Sequence, residues 1–297
     1  MLRDHHVQTF ARLALSPDPD LAVAALMIAR VEYPRLDAGP YLAELDLLGR
    51  EAAMRVAAAS SAREDTPDDV DPDSYARVAA LGDYLFGEQR FVGNEAQYED
   101  PRNSFLNEVL ERRTGLPITL ALVYMEVARR AGVAVEGINF PGHFLVRCPG
   151  RREYRDLIID AFHGGALLTE EACRTLIGRH ADEGDDWEPH PLGQATKPQI
   201  LARMLLNLKR VYVRMHSFPQ ARDVTELLLA VDPSALHERR DRGLIAYHLN
   251  DFSGALRDLQ AYLQLSATTD LDANAREDHE QIWEHVKSLR RRVASLN

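Results

Sequence analysis

The stretch that decides the fold is Asn103–Asp160, NSFLNEVLERRTGLPITLALVYMEVARRAGVAVEGINFPGHFLVRCPGRREYRDLIID. Within it Leu116, Ile118, Leu120, Ala121, Leu122, Val123, Tyr124, Val127, Ala128 and Ala131 leave almost no polar face before Arg129 and Arg130. A helix apolar nearly all round is buried on most sides. Pro117 suits the first turn, where a missing N–H is no loss. Thr114 stands where an N-cap or near-cap is expected. Gly132, after two arginines, reads as the C-terminal stop. The spacing therefore predicts a helix over about 116–131.

Two strands follow. Val135–Phe140 ends at Pro141-Gly142, a turn signal. His143–Cys148 alternates, with His143, Leu145 and Arg147 on one face and Phe144, Val146 and Cys148 on the other. Pro149-Gly150-Arg151-Arg152 is a polar turn, after which Tyr154–Ala161 reads as a returning antiparallel strand. Ile158 and Asp160 share a face of that strand, so the hairpin brings His143 near Asp160 where the pairing register allows it.

A buried helix followed by antiparallel strands bearing a histidine and then an aspartate resembles the transglutaminase-like core of the papain-type thiol enzymes. The resemblance implies a nucleophilic cysteine at the helix N-terminus. The helix dipole and the histidine would lower its pKa, and the carboxylate would orient the imidazole. The helix exit matches too, through Ala121, Ala128, Arg130 and Gly132-Val133. Counting back from Gly132, however, the cysteine's place falls at Pro117 or Ile118, and neither is a nucleophile.

A more specific resemblance is to the bacterial SirB family, and it extends over nearly the whole chain. The residues behind it are Asn103-Ser104-Phe105, Arg113, Gly115-Leu116-Pro117-Ile118, Pro141-Gly142-His143-Phe144-Leu145 and Asp160-Ala161-Phe162-His163-Gly164-Gly165. It implies a transglutaminase-like core, usually without the thiol, followed by tetratricopeptide-type repeats.

The flanking sequence fits this division. Residues 1–60 read as helices: Ser16-Pro17-Asp18-Pro19 is a helix-start signal, Asp20–Glu32 a short helix and Tyr41–Ala59 a longer one. They are expected to form a cap on the core. Glu64–Asp73, with six carboxylates, lacks the ligand order of a calcium loop and reads as a solvated connector. Tyr75–Phe86 is a further helix, and Asn103-Ser104 is expected to cap the helix through Leu106, Val109 and Leu110. Thr169 reads as another N-cap. The charged, proline-bearing run Asp182–Pro191 is the expected linker.

The last hundred residues repeat. Phe218, Ala221 and Leu228 recur as Phe252, Ala255 and Tyr262, each 34 residues on, and Val213 recurs as Tyr247. That is the tetratricopeptide period. Leu201, Met204, Leu205, Leu208, Tyr212 and Met215 form one helical stripe, and Ile282, Val286, Leu289 and Val293 another, on a final capping helix. Two repeats and a cap bury little, so this region is expected to dock on the core.

Composition narrows the function. A net charge of −11 over 297 residues lacks the electrostatic footprint of a phosphate-backbone binder. No apolar run is long enough to span a bilayer and no secretory leader is read at the start, so a cytoplasmic location is expected. Two cysteines, Cys148 and Cys173, are no disulfide framework, and both read as packing residues.

Three readings of His143 and Asp160 compete. They are a vestigial pair left as a structural hydrogen bond. Or they activate a hydroxyl, for which Thr119 is the near candidate and Ser104 a remote one. An alkoxide route needs a base within about 3 Å and an oxyanion hole. Or, with His163, they bind a metal; the residue types suit zinc, although the spacing matches no strong signature.

The sequence thus predicts an α+β chain: a helical N-terminal part and a transglutaminase-like helix-plus-antiparallel-sheet core over 1–190, then an α-helical tetratricopeptide-like domain over 198–297. The expected function is a cytoplasmic protein-interaction or regulatory module with a degenerate core, leaning away from an enzyme. The expected partner is a protein or peptide held by the repeats, with no nucleic acid, membrane, cofactor or metal. The alternative is a hydrolase or acyl transferase that uses His143 and Asp160 with a nucleophile other than cysteine.

Overall fold

The computed structural model describes residues 4–59, 66–151, 153–169, 171–173, 175, 193–266 and 273–296. The chain opens with α1 (Asp4–Ala14), α2 (Leu21–Ile28), α3 (Gly39–Ala58) and α4 (Pro72–Gly82), and α4 runs on as a π-helix over Asp83–Glu88. Then come β1 (Val92–Gly93), a 3-10 turn at Pro101–Ser104, α5 (Leu106–Arg112), β2 (Thr114–Gly115) and α6 (Pro117–Arg130). The strands β3 (Glu136–Phe140), β4 (His143–Cys148), β5 (Leu157–Asp160) and β6 (Ala166–Leu168) follow. The repeats are α7 (Lys197–Arg214), α8 (Phe218–Val231), α9 (Leu236–His248), α10 (Phe252–Ser266) and α11 (Ala273–Leu296). Two compact units result: Pro17–Met204, and Met1–Ser16 with Leu205–Asn297. Asp182–Pro191, the expected linker, lies outside the described residues.

The first unit is built on α6. Every residue from Pro117 to Ala128 in it is buried, including Glu126, whose carboxylate pairs with Arg129 and Arg130. Gly132 ends the helix at φ +72, in the left-handed region that glycine enters without steric cost. The N-terminus differs from expectation. Leu116 is the N-cap, because Thr114 is drawn into β2 and pairs with Val92 of β1 in parallel. Thr119 does the capping from inside the first turn: its hydroxyl oxygen accepts from Leu116 N at 2.9 Å, the N3 half of a capping box.

Asn103 and Ser104 do not cap α5 either. Pro101 starts a 3-10 turn whose N-cap, Asp100, accepts from Arg102 N, and Phe105 then precedes α5. Asp20 caps α2 by accepting from Val23 N at 3.0 Å. The helix α3 crosses α6 at Gly49, where an added Cβ would fall 2.3 Å from Cβ of Arg130.

The four strands β3-β4-β5-β6 form one antiparallel sheet in sequence order. The strand β6 was not foreseen from the sequence. Phe140 pairs with His143, Val146 with Ile159, and Asp160 with Ala166. One face gathers Ile138, Phe140, Leu145 and Ile158 into an apolar cluster with Cys173. Ala195 N donates to Gly137 O at 2.8 Å, which covers part of the β3 edge.

In the second unit the 34-residue offset matches α8 to α10 residue for residue at their starts, Phe218 and Phe252. The close-packing positions are small, as the period requires: Ala221 and Ala255 are wholly buried, and a Cβ on Gly243 would meet Leu259 at 2.8 Å. Leu259, Tyr262 and Leu263 of α10 pack with Ile282, Val286 and Leu289 of α11. Met215 departs from its stripe, being 56% exposed beyond the end of α7, and the side chain of Val293 lies outside the described residues. Among the described residues no helix is long and apolar enough to cross a membrane.

Candidate functional site

The register of β4 and β5 places the two sequence candidates. Continued one step past Val146–Ile159, it would set Leu145 across from Asp160, so His143 is the diagonal neighbour on the same face. His143 Nε2 lies 2.9 Å from Asp160 Oδ2. A third residue joins them. The chain turns back at Gly164 (φ +69) and Gly165 (φ +76), and Gly165 N donates to Asp160 O at 2.8 Å. That turn folds His163 over the carboxylate, with Nδ1 2.8 Å from the same Oδ2. A side chain at Gly165 is doubly forbidden, since its Cβ would lie 2.5 Å from Phe86.

An ionised carboxylate only accepts, so both imidazoles donate to Oδ2. The other oxygen, Oδ1, accepts from Phe162 N at 3.0 Å and His163 N at 3.2 Å. Burial works to raise the Asp160 pKa, but the hydrogen bonds and charge of His143 and then His163 outweigh it and hold the carboxyl below its ordinary range. Asp160 is 2% exposed and His143 7%, whereas the His163 side chain is 51% exposed. Phe162 meets both imidazoles edge-on, at 6.0 Å from His143 and 5.1 Å from His163, and is itself braced by Tyr98. Glu95 Oε1 lies 3.8 Å from His163 Nε2 on the outer side.

Thr119 is placed differently. It is wholly buried, and besides capping α6 its hydroxyl lies 2.7 Å from Asn103 O and 3.1 Å from Leu116 O, to which it can donate. Its proton is thus held by backbone carbonyls. The Ser104 hydroxyl is buried with no hydrogen-bond partner among the described residues. The cysteines are free and buried, and burial pushes the Cys148 thiol up to about 11. An open cleft of about 610 Å³ lies beside the turn, lined by Val78, Gly82, Asp83, Phe86, Gly164 and Gly165. The sequence offers His163 as part of the Asp160–Gly165 motif and as a third ligand; the signal that places it is Gly164-Gly165, which allows the tight return.

A buried helix, an antiparallel sheet and a His–Asp pair across two strands define a transglutaminase-like protein, and the comparisons agree. Residues 40–206 match the model of the transglutaminase-like superfamily and 208–286 that of the tetratricopeptide repeat. A UPF0162 protein of Xylella fastidiosa is 39% identical over 84% of this chain and 85% of its own length. One of Pseudomonas aeruginosa is 34% identical over 67% of each chain. The chain belongs to this bacterial UPF0162 family, in which a transglutaminase-like domain precedes tetratricopeptide repeats. Human F-box only protein 21 is 33% identical over 57% of this chain and 28% of its own length.

Proposed function

We propose that the chain is a cytoplasmic module that binds a protein or peptide through its helical repeats. In this reading its transglutaminase-like core keeps the imidazole–carboxylate pair without a nucleophile. The observation behind it is the state of Thr119, whose hydroxyl is built into the start of α6 as a helix cap. Cys148, buried with its pKa pushed up, offers no thiolate at neutral pH. Tetratricopeptide arrays commonly present a surface to peptides. In the second unit Trp283 (41% exposed) and Met215 (56%) leave apolar surface open to solvent.

The test is a peptide-display selection on the full chain, followed by calorimetry with the synthesised peptides. Micromolar binding that is lost in Trp283→Ala or Met215→Ala, with no turnover of acyl ester or amide substrates, is expected. Hydrolysis abolished by Asp160→Asn would overturn the reading and favour the hydrolase, for which the intact 2.9 Å His143–Asp160 contact is the supporting observation.

A further inference from the structure

Three donor atoms of mixed type meet at the end of β5. His143 Nε2, Asp160 Oδ2 and His163 Nδ1 all lie within 4.8 Å of one another. They come from three separate places, the first residue of β4, the last of β5 and the Gly164-Gly165 turn. The carboxylate is not free to swing, because Oδ1 is fixed by the backbone N–H groups of Phe162 and His163. That leaves Oδ2 turned towards both rings.

A structural hydrogen-bond network explains part of this. It accounts for His143, which is buried and needs a partner. It accounts less well for His163, whose half-exposed ring could be solvated by water. Yet a glycine-dependent turn bends that ring back so that Nδ1 shares the oxygen already taken by His143. Two imidazole nitrogens and one carboxylate oxygen on one face are the donor set of mononuclear zinc and non-haem iron sites that keep open positions. The surroundings match that class as well. Glu95 Oε1 lies 3.8 Å from His163 Nε2, longer than a hydrogen bond but near enough that a side-chain rotation would make it the outer carboxylate that orients a ligating imidazole, and Phe162 walls the rings.

The geometry points to a binding site for one divalent transition-metal ion of the zinc type, held by His143 Nε2, Asp160 Oδ2 and His163 Nδ1. The ion takes the place of the two imidazole protons now directed at Oδ2. Donors 2.8 and 2.9 Å apart must spread by about half an ångström to reach tetrahedral spacing around zinc, a shift within side-chain freedom. With a single oxygen donor, the set disfavours calcium and magnesium, which require mostly oxygen ligands. His163, its side chain 51% exposed, is the ligand nearest to solvent. This inference stands apart from peptide binding by the repeats, and its test reads only the metal.

The full chain, stripped with a chelator, is titrated with Zn²⁺ against a chromophoric competitor and with Co²⁺ by visible absorption. One ion per chain is expected. His163→Ala, at an exposed position where folding survives, should weaken binding roughly 100-fold or more, and Glu95→Gln roughly 10-fold, while circular dichroism stays unchanged. Loss of the Co²⁺ visible bands in His163→Ala would support the site. Binding equally tight in wild type and His163→Ala, or none up to about 100 µM Zn²⁺, would overturn it.

Discussion

His163, half exposed, and Asp160, almost wholly buried, share a hydrogen bond of 2.8 Å from Nδ1 to Oδ2. Asp160 also takes His143 and two backbone N–H groups. Asp160→Ala would leave a buried imidazole and both amides without acceptors. The expected loss is about 3 kcal/mol or more in a urea titration of the Pro17–Met204 unit. Asp160→Asn, which keeps one acceptor and can donate to the rings, should lose less than half as much. Equal losses would show that the carboxylate's charge, not its hydrogen bonds, is what matters.

Thr119 is expected to matter to stability. Thr119→Val removes the capping oxygen from Leu116 N and the donor to Asn103 O, at about 1–2 kcal/mol. Thr119→Ser should recover most of it. The check is the melting temperature of both variants; an unchanged value for Thr119→Val would sink the assignment.

The Cys148 thiol gives a pH signature. With burial pushing its pKa up to about 11, only a small fraction is thiolate near pH 8. Alkylation should run roughly 100-fold slower than for a free thiol, whose pKa is about 8.5. The rate should climb about tenfold per pH unit up to pH 9.5 without levelling, because ionisation is far from complete there. A plateau near pH 8 would show a thiolate stabilised by its surroundings and reopen thiol chemistry.

At Gly49 the helices α3 and α6 meet with no room to give. A Cβ there would fall 2.3 Å from Cβ of Arg130, the root of a side chain tied to Asp46 and Glu126. Gly49→Ala, favourable for an isolated helix, is therefore expected to destabilise by about 1–3 kcal/mol. A rise in the denaturation midpoint would refute the close approach.

Phe10 is wholly buried in α1, which packs on α8. Phe10→Ala should cost about 3–5 kcal/mol. The loss should appear in hydrogen exchange of α8 amides before those of α6. Faster exchange in α6 alone would place the effect in the other unit.

Much of this was legible in the residues themselves. The apolar run from Leu116 predicted α6 to within a residue at each end, because a helix buried all round needs no partner face to reveal it. The alternation around Pro149-Gly150 put His143 on one face of its strand and Asp160 on one face of the next, but left the register between them open. Both faces of β4 and β5 are buried, so burial alone does not choose between slips; the observed pairing fixes the register. The repeat offset is legible because the small pair that recurs, Ala221 and Ala255, is wholly buried where helices approach closely. What stayed hidden depends on distant pieces of chain. Thr114 reads as a cap until β1, far upstream in sequence, pairs with it. The convergence of His163 rests on two glycine φ angles.

The grouping of α1 with Leu205–Asn297 has a consequence for synthesis. A ribosome makes α1 first and its packing partner α8 roughly 200 residues later, a wait of about 10–40 s at ordinary elongation rates. Pro17–Met204 is synthesised within that interval. The apolar side of α1, with Phe10 on it, is meanwhile nascent chain without its partner. The unit that finishes later in synthesis is thus the one that has to recapture α1, a helix made long before the surface that covers it.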